Sequence, residues 1–583
     1  MAHLLVRRAA APRHTPPART MAATAAPAAW ILRTAAGAAV PARRADEGAM
    51  ARVGQAVATR PERVGPVPRA RPCGRLRGWL PCAALLAAAV LFRLPPLLNA
   101  AGVDSDAAVV GLQAEHLLRG EWAWFLWGAG YQGVVDSLLV VLGFAGARPL
   151  TLMAVPLVGY LLQIVLVFAT LRRRLGPAPA ALATLPLVFA PQAVNGVALA
   201  PPRQWAVTTV FAACWALDRA SGARRPGAWY AAGALLGALA LYLDLFALQF
   251  LPGLIAFALA CCLDGAPPRR VRWRRAGACA LGCAAGLGLV WLARQQPGAG
   301  APPAADGLAA APAHLRLLLD AALPWVLGVR VFIPGSGLYP TPWRPPAAFL
   351  AVQYGGALLF LAGYVYGGLA LFRRRLPWPV RRLGGLGAVV AACSLGGFVV
   401  AAAPRDMWSA RYVAPLIWMA PFALAPAAYA LRPRRFALAL APYLVAAAVG
   451  GWLSYGPYVR GPLPVRTPHG DAAPEAQLGR ALRERGVAEA AAPYWLAYRL
   501  TFLWGERPVV VPLDPGQDRY APYRGAFAAA PDVALIFDPA DPRSTAADEE
   551  ARLRRAGARY ERLEIAGYTV LLWRRGPPGG GVP

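Results

Sequence analysis

The residue types best suited to chemistry gather in the stretch Gly102-Val103-Asp104-Ser105-Asp106-Ala107-Ala108-Val109-Val110-Gly111. Two carboxylates, two residues apart, lead there into a helical pattern that runs from Leu112 to Leu118. Carboxylates so placed can accept or return a proton, or can simply cap the helix N-terminus. Glu115 and His116 follow on the same helix. The chain then runs through Arg119-Gly120-Glu121-Trp122 and Trp127-Gly128-Ala129-Gly130-Tyr131-Gln132-Gly133 to a further acid, Asp136.

Long apolar elements must position this stretch. Of the 583 residues, 57% are hydrophobic and only 15% charged, against about a quarter in an ordinary soluble protein. Mean hydropathy is +0.42. Runs of roughly 20 apolar residues, enough to cross a bilayer, recur from Trp79 to Pro457. The expected spans are 79–98, 149–170, 178–195, 204–219, 226–243, 245–263, 276–293, 347–372, 383–403, 411–431 and 436–456. The net charge of +31 does not point to nucleic acid, because its arginines sit in short clusters between apolar runs. The chain has no lysine, which reads as coding bias. Clusters at Arg71–Arg77, Arg172–Arg174, Arg219–Arg225, Arg269–Arg275, Arg373–Arg382 and Arg432–Arg435 all fall on the cytoplasmic side only if Val134–Gly146 does not span. That segment is short and contains Asp136, so a re-entrant or interfacial helix is expected. An inside N-terminus and an odd span count, about eleven, then put everything after Pro457 outside.

Four regions follow: 1–77, a disordered Ala/Arg/Pro-rich segment; 78–457, the membrane domain; 458–575, an extracytoplasmic α/β domain; and 576–583, a disordered tail. The third rests on a helix expected at Ala476–Arg485, a buried strand at Val509–Val511, a strand at Val533–Phe537, a helix at Ala546–Ala556 and a last strand at Tyr568–Trp573. No cysteine lies after Pro457, so a disulfide framework is not expected. Cys279 and Cys283 share a helix face with no His or carboxylate nearby, which reads as packing.

The paired acids after the first span resemble the bilayer-embedded GT-C glycosyltransferases. The similar branch contains the bacterial protein mannosyltransferases, the aminoarabinose transferase and the lipopolysaccharide-core sugar transferases. Its pattern is Asp-Glu-Ala-x-x-Gly-Leu, then Gly-Glu, then aromatic-Gly-x-x-Tyr-x-Gly. Asp106, Ala108, Gly111, Leu112, Gly120, Glu121, Gly128, Tyr131 and Gly133 fit it. The resemblance covers 79–270; later, Asp406–Tyr412 looks like the family's outer-face Arg-Tyr, and Tyr494–Phe502 is similar to a segment after the spans. One departure stands out: Ala107 occupies the position of the usual Glu.

The resemblance implies an enzyme that moves a sugar from a polyprenyl-phosphate carrier to an envelope acceptor, whether lipid, glycan or protein, at the outer face of the bacterial inner membrane. Asp106 is then the expected base toward the acceptor hydroxyl, with Asp104 as substitute. Arg93, Arg203, Arg405 and Arg411, near outer span ends, are expected to meet the leaving phosphate. Tyr131 and Asp244 are expected to face the site, and Asp136 to help bind a divalent cation, Mg2+ or Mn2+. The helix after Asp106 is expected to lay Val110, Leu112, Leu117 and Leu118 on the membrane surface. Two other classes remain open: a non-catalytic scaffold of the same fold, favoured by Ala107, and a transporter or flippase, which would carry acids deep within its spans.

Overall fold

The computed structural model describes residues 77–98, 103–143, 149–301, 308–333, 341–401, 404, 406–453, 459–460, 463–464, 473–539, 541 and 545–575. The expected disordered segments 1–77 and 576–583 lie outside these residues but for Arg77. So does the expected boundary at 457/458.

The membrane body is a bundle of apolar helices. Seven are long and apolar enough to cross a bilayer: Pro149–Leu175, Pro226–Leu243, Arg269–Arg294, Ala347–Phe372, Trp378–Val400, Met407–Ala430 and Pro433–Leu453. Leu80–Phe92, Pro177–Val188 and Leu251–Cys262 are shorter apolar helices. They fall on three of the expected spans, and the 17-residue helix Gln204–Ala220 falls on a fourth. Val135–Gly143 is a helix of only nine residues. At 1.5 Å per residue it rises about 14 Å, less than half the hydrocarbon thickness.

Arginine clusters distant in sequence meet at one end of this bundle. Asp218, at the last turn of Gln204–Ala220, receives Arg174 and Arg382 on Oδ1, each at 2.8 Å, and Arg173 on Oδ2 at 3.2 Å. Arg382 also reaches Asp264 at 2.8 Å. Arginines of two clusters expected to share a side, Arg172–Arg174 and Arg373–Arg382, therefore meet there. Arg203 begins the same helix, about 22 Å away.

Past the bundle lies a five-stranded mixed sheet in the order Arg559–Ile565, Tyr568–Arg574, Asp532–Phe537, Glu489–Ala492, Val509–Pro512. The last three strands run parallel, as helical crossovers require, and the first two form an antiparallel hairpin. That hairpin turns on Ala566 and Gly567, with φ of 54° and 86°. Positive φ at both turn residues matches the strand twist of a two-residue hairpin. Asp532–Phe537 is buried along its length after the first residue, consistent with helices on both faces. One face packs Leu478, Leu482, Leu496, Leu500, Val510, Ile536 and Val570 together.

The other face shares a core with the first acidic stretch. Ala107, Ala108, Val110 and Leu112 cluster with Tyr498, Phe502, Val511, Leu535 and Leu571. The expectation that Val110 and Leu112 rest on the membrane surface is therefore corrected: both are fully buried. The helix Ser105–Leu118 is sandwiched, because its small residues let Tyr494–Leu503 approach closely. A Cβ on Gly111 would stand 2.6 Å from the Phe502 ring.

Candidate functional site

Asp104 caps the helix Ser105–Leu118, its Oδ1 accepting the Ala107 N–H at 2.9 Å. Its side chain still reaches solvent, yet crowding by protein and repulsion from Asp106 raise its carboxyl to about 6. The Ala107 N–H, Arg411 and Arg499 pull in the opposite direction. Capping fixes where the helix begins and so places Asp106 in its first turn, half-buried.

The domain of the five-stranded sheet reaches Asp106 directly. Tyr494 begins the helix Tyr494–Leu503 and donates its hydroxyl hydrogen to Asp106 Oδ1. Arg519 donates through Nε to the Tyr494 hydroxyl oxygen at 3.0 Å and through Nη1 to the Gly128 carbonyl at 2.8 Å. Its Nη2 stands 3.6 Å from Asp106 Oδ1. Ser105 Oγ donates to the Tyr494 carbonyl at 2.5 Å, tying the two helices together beside the acid.

A second set of groups lies at the hairpin formed by Phe125–Leu126 and Ala129–Gly133. Gln132 donates to Asp244 Oδ2 at 2.9 Å, and Arg203 Nε reaches the same oxygen at 3.3 Å. Asp244 Oδ1 takes the Phe246 N–H at 2.8 Å, which caps the next helical turn. The Arg203 guanidinium lies over the rings of Phe246 and Tyr412, at 5.2 and 5.8 Å. Arg411 donates weakly to the Tyr412 hydroxyl at 3.5 Å. Burial raises the Tyr131 hydroxyl above its ordinary range; Asp244 and Tyr412 add to that, while Arg203 and Arg519 oppose it. Tyr131 thus senses both sets.

Asp136 is buried, and neither of its oxygens has a hydrogen-bond partner among the described residues. Burial, with the nearby Asp244 charge, pushes its carboxyl well above the usual range, so the neutral acid is favoured. The expected metal role finds little support in this donor set. No group of three His, Cys, Asp or Glu side chains stands ready to hold an ion among the described residues.

Arg93 stands apart from the other expected residues. It is fully buried and donates to the carbonyls of Ala89, Val188 and Leu187 and to Asn195 Oδ1 at 2.9 Å, which makes it a strut between helices. Arg405 lies outside the described residues. Sequence reasoning missed Arg519 altogether, and noted Tyr494 only as part of a similar segment. It also missed a clasp nearly three helix turns further on. His116 sits between Glu121 Oε2 at 2.8 Å and Glu506 Oε1 at 2.7 Å, while Tyr520 stacks on Trp127 at 4.0 Å.

A multi-pass helical body, an acid-bearing helix at its end and a mixed sheet closed over that helix make an arrangement similar to the GT-C fold. The model of a family described as dolichyl-phosphate-mannose-protein mannosyltransferase matches residues 139–291. Among solved structures, the chain is similar to ArnT from Cupriavidus metallidurans bound to undecaprenyl phosphate. The TM-score is 0.51 at 12% identity, over 86% of this chain and 98% of that one. A looser likeness, TM-score 0.45 at 12% identity, links it to the Archaeoglobus fulgidus oligosaccharyltransferase in complex with Zn and sulfate, over 86% of this chain and 74% of that one. No curated protein matches in sequence. The fold is thus similar to the one that the resemblance from Asp106 to Gly133 implies, while the family match itself begins after those residues.

Proposed function

We propose that this protein transfers a sugar from a polyprenyl-phosphate carrier to a hydroxyl acceptor of the cell envelope at the outer face of the bacterial inner membrane. The single observation that carries the reading is Asp106, a half-exposed carboxylate at a fixed helix start, held by Tyr494 and Arg519 and within electrostatic reach of Arg411. In the reaction, the acceptor O–H gives its proton to Asp106 as its oxygen bonds to the anomeric carbon. The bond from that carbon to the phosphate oxygen breaks, and its electron pair leaves on the carrier phosphate. Arg411 and Arg203 are the cations assigned to that growing charge, an interaction of the kind that accelerates phosphate departure. Asp244, itself held by Gln132, keeps Arg203 in place. Residue Asp104, engaged as a cap, has the lesser role. The carrier named with the similar ArnT structure, undecaprenyl phosphate, is the donor lipid to try first.

The orientation proposed has the N-terminus inside and the soluble domain outside. Alkaline phosphatase fused after Gly576 should then be active and a fusion after Arg275 inactive; the reverse would overturn it. Activity is tested with full-length protein in nanodiscs and a panel of undecaprenyl-phosphate sugars. Consumption of a donor that Asp106→Asn abolishes is the expected result. The scaffold reading draws on Ala107, which is buried at 3% exposure where the family has an acid. A wild-type protein that consumes no donor in the panel would favour it.

A further inference from the structure

The geometry points to a site completed by the soluble domain. Tyr494 and Arg519 are positioning residues that grip Asp106 through Oδ1 and leave Oδ2 as the oxygen that accepts the acceptor's proton. The inference rests on Asp106 being the base.

The proton on the Tyr494 hydroxyl has a determined direction. Arg519 Nε can only donate, so the hydroxyl oxygen accepts from it and sends its own hydrogen to Asp106 Oδ1. Arg519 is itself held at four points. Its backbone N–H donates to the Tyr498 hydroxyl at 2.6 Å and its Nη1 to the Gly128 carbonyl. Its guanidinium centre lies 5.2 Å from the Tyr494 ring centroid, and its Nη2 faces Oδ1 at 3.6 Å. Gly128 has φ +62°, and a Cβ there would stand 2.4 Å from Arg519 Cδ, so only glycine permits this approach. From the other flank, Ser105 Oγ holds the Tyr494 carbonyl and accepts the Arg499 N–H at 3.3 Å.

Both of the soluble domain's contacts fall on the same carboxylate oxygen. No described residue donates to Oδ2, and the Asp106 side chain as a whole stays about a third exposed. A first-turn aspartate with no such grip samples several rotamers, and a base must be aimed before it is useful. Some 388 residues of chain separate Tyr494 from Asp106. The base is therefore correctly aimed only when the soluble domain is docked, which makes docking of the sheet a condition for turnover.

The test uses full-length protein and two readouts. With the undecaprenyl-phosphate sugar that the wild type consumes, Tyr494→Phe should lower kcat about tenfold, and Arg519→Ala about tenfold to a hundredfold. The KM for donor and the melting temperature should hold. Added guanidinium should restore part of the Arg519→Ala loss. Independently of any turnover, water-soluble carbodiimide should modify Asp106 faster in both variants, read by peptide mass spectrometry, because each removes one of the two groups that shield Oδ1. Unchanged kcat in both variants beside an inactive Asp106→Asn would overturn the grip and leave the base standing. A loss that lowers the melting temperature and ignores guanidinium would reduce Arg519 to a structural part. Carbodiimide labelling equal to wild type would overturn the proposal even if no donor in the panel were consumed.

Discussion

Asp218 is fully buried at the end of the bundle opposite the candidate site, and four donor atoms of three arginines converge on its side chain: Arg382 Nη2, Arg174 Nε and Nη2, and Arg173 Nη1. Asp218→Asn keeps the shape and removes the charge. Arg382, with no exposed side-chain surface, would keep Asp264 at 2.8 Å as its only acid, while Arg173 and Arg174, 25% and 17% exposed, would turn partly to water. Breaking a buried ion pair from one side costs about 3–5 kcal/mol. The retained Asp264 contact and the partial exposure of two arginines place this case near the lower figure, about 3 kcal/mol. The assay is thermal unfolding of detergent-solubilised protein followed by size-exclusion fluorescence, with Asp218→Asn, Arg382→Gln and the double variant compared. Removing both charges should cost less than the two single losses added together, since the second removes the charge that the first left unpaired. Donor consumption per folded molecule should be unchanged, because Arg203, the nearest group of the site on this helix, lies about 22 Å away. An Asp218→Asn protein as stable as wild type, or strict additivity in the cycle, would refute the reasoning.

Gly130→Ala should detach the hairpin from the segment after Arg294. Its Cβ would stand 2.3 Å from both Gly298 O and Gly300 N, backbone atoms with little room to retreat. Overpacking of this kind costs about 1–3 kcal/mol and should appear as faster limited proteolysis after Arg294. Burial and the Glu506 charge raise the Glu115 carboxyl to about 7 from its usual 4.5. An acid raised on folding supplies stability that is fully present below the unfolded value and is lost as pH rises through the folded one. The protein should therefore melt at a lower temperature at pH 8 than at pH 5 by a margin that Glu115→Gln reduces; an equal margin in the two proteins would rule Glu115 out as the cause.

The membrane body was legible because its signal is local. Each span is a contiguous apolar run, and the nine-residue helix Val135–Gly143 was recognisable as non-spanning from its length and Asp136. The acid pair was legible for the same reason, lying within one turn of a helix start. What sequence reasoning missed is non-local. Asp218 and Arg382 are 164 residues apart, so the arginines read as topology signals rather than as one ion network. The strand Glu489–Ala492 is hidden in alanine, the strongest helix former, and becomes a strand because strands flank it on both sides in the sheet. Arg559–Ile565 alternates charges with apolar residues at a sheet edge, which reads equally well as loop. The docked position of the helix Ser105–Leu118 escaped notice because a small, apolar helix face suits a lipid surface and a protein surface alike. Only the small residues at Ala107, Ala108 and Gly111 hint at a close protein neighbour.

The measurement that bears most directly on the account is donor turnover by Asp106→Asn set beside Asp104→Asn, in full-length protein whose folding is verified by its melting temperature. Asp106 is the gripped, half-exposed acid, and Asp104 is committed to capping its helix. The account predicts that Asp106→Asn loses about 10²–10⁴-fold in kcat, the usual worth of a positioned base, while Asp104→Asn, whose amide oxygen still caps the helix, stays within about tenfold of wild type. The opposite order, with Asp104→Asn inactive and Asp106→Asn mild, would contradict it.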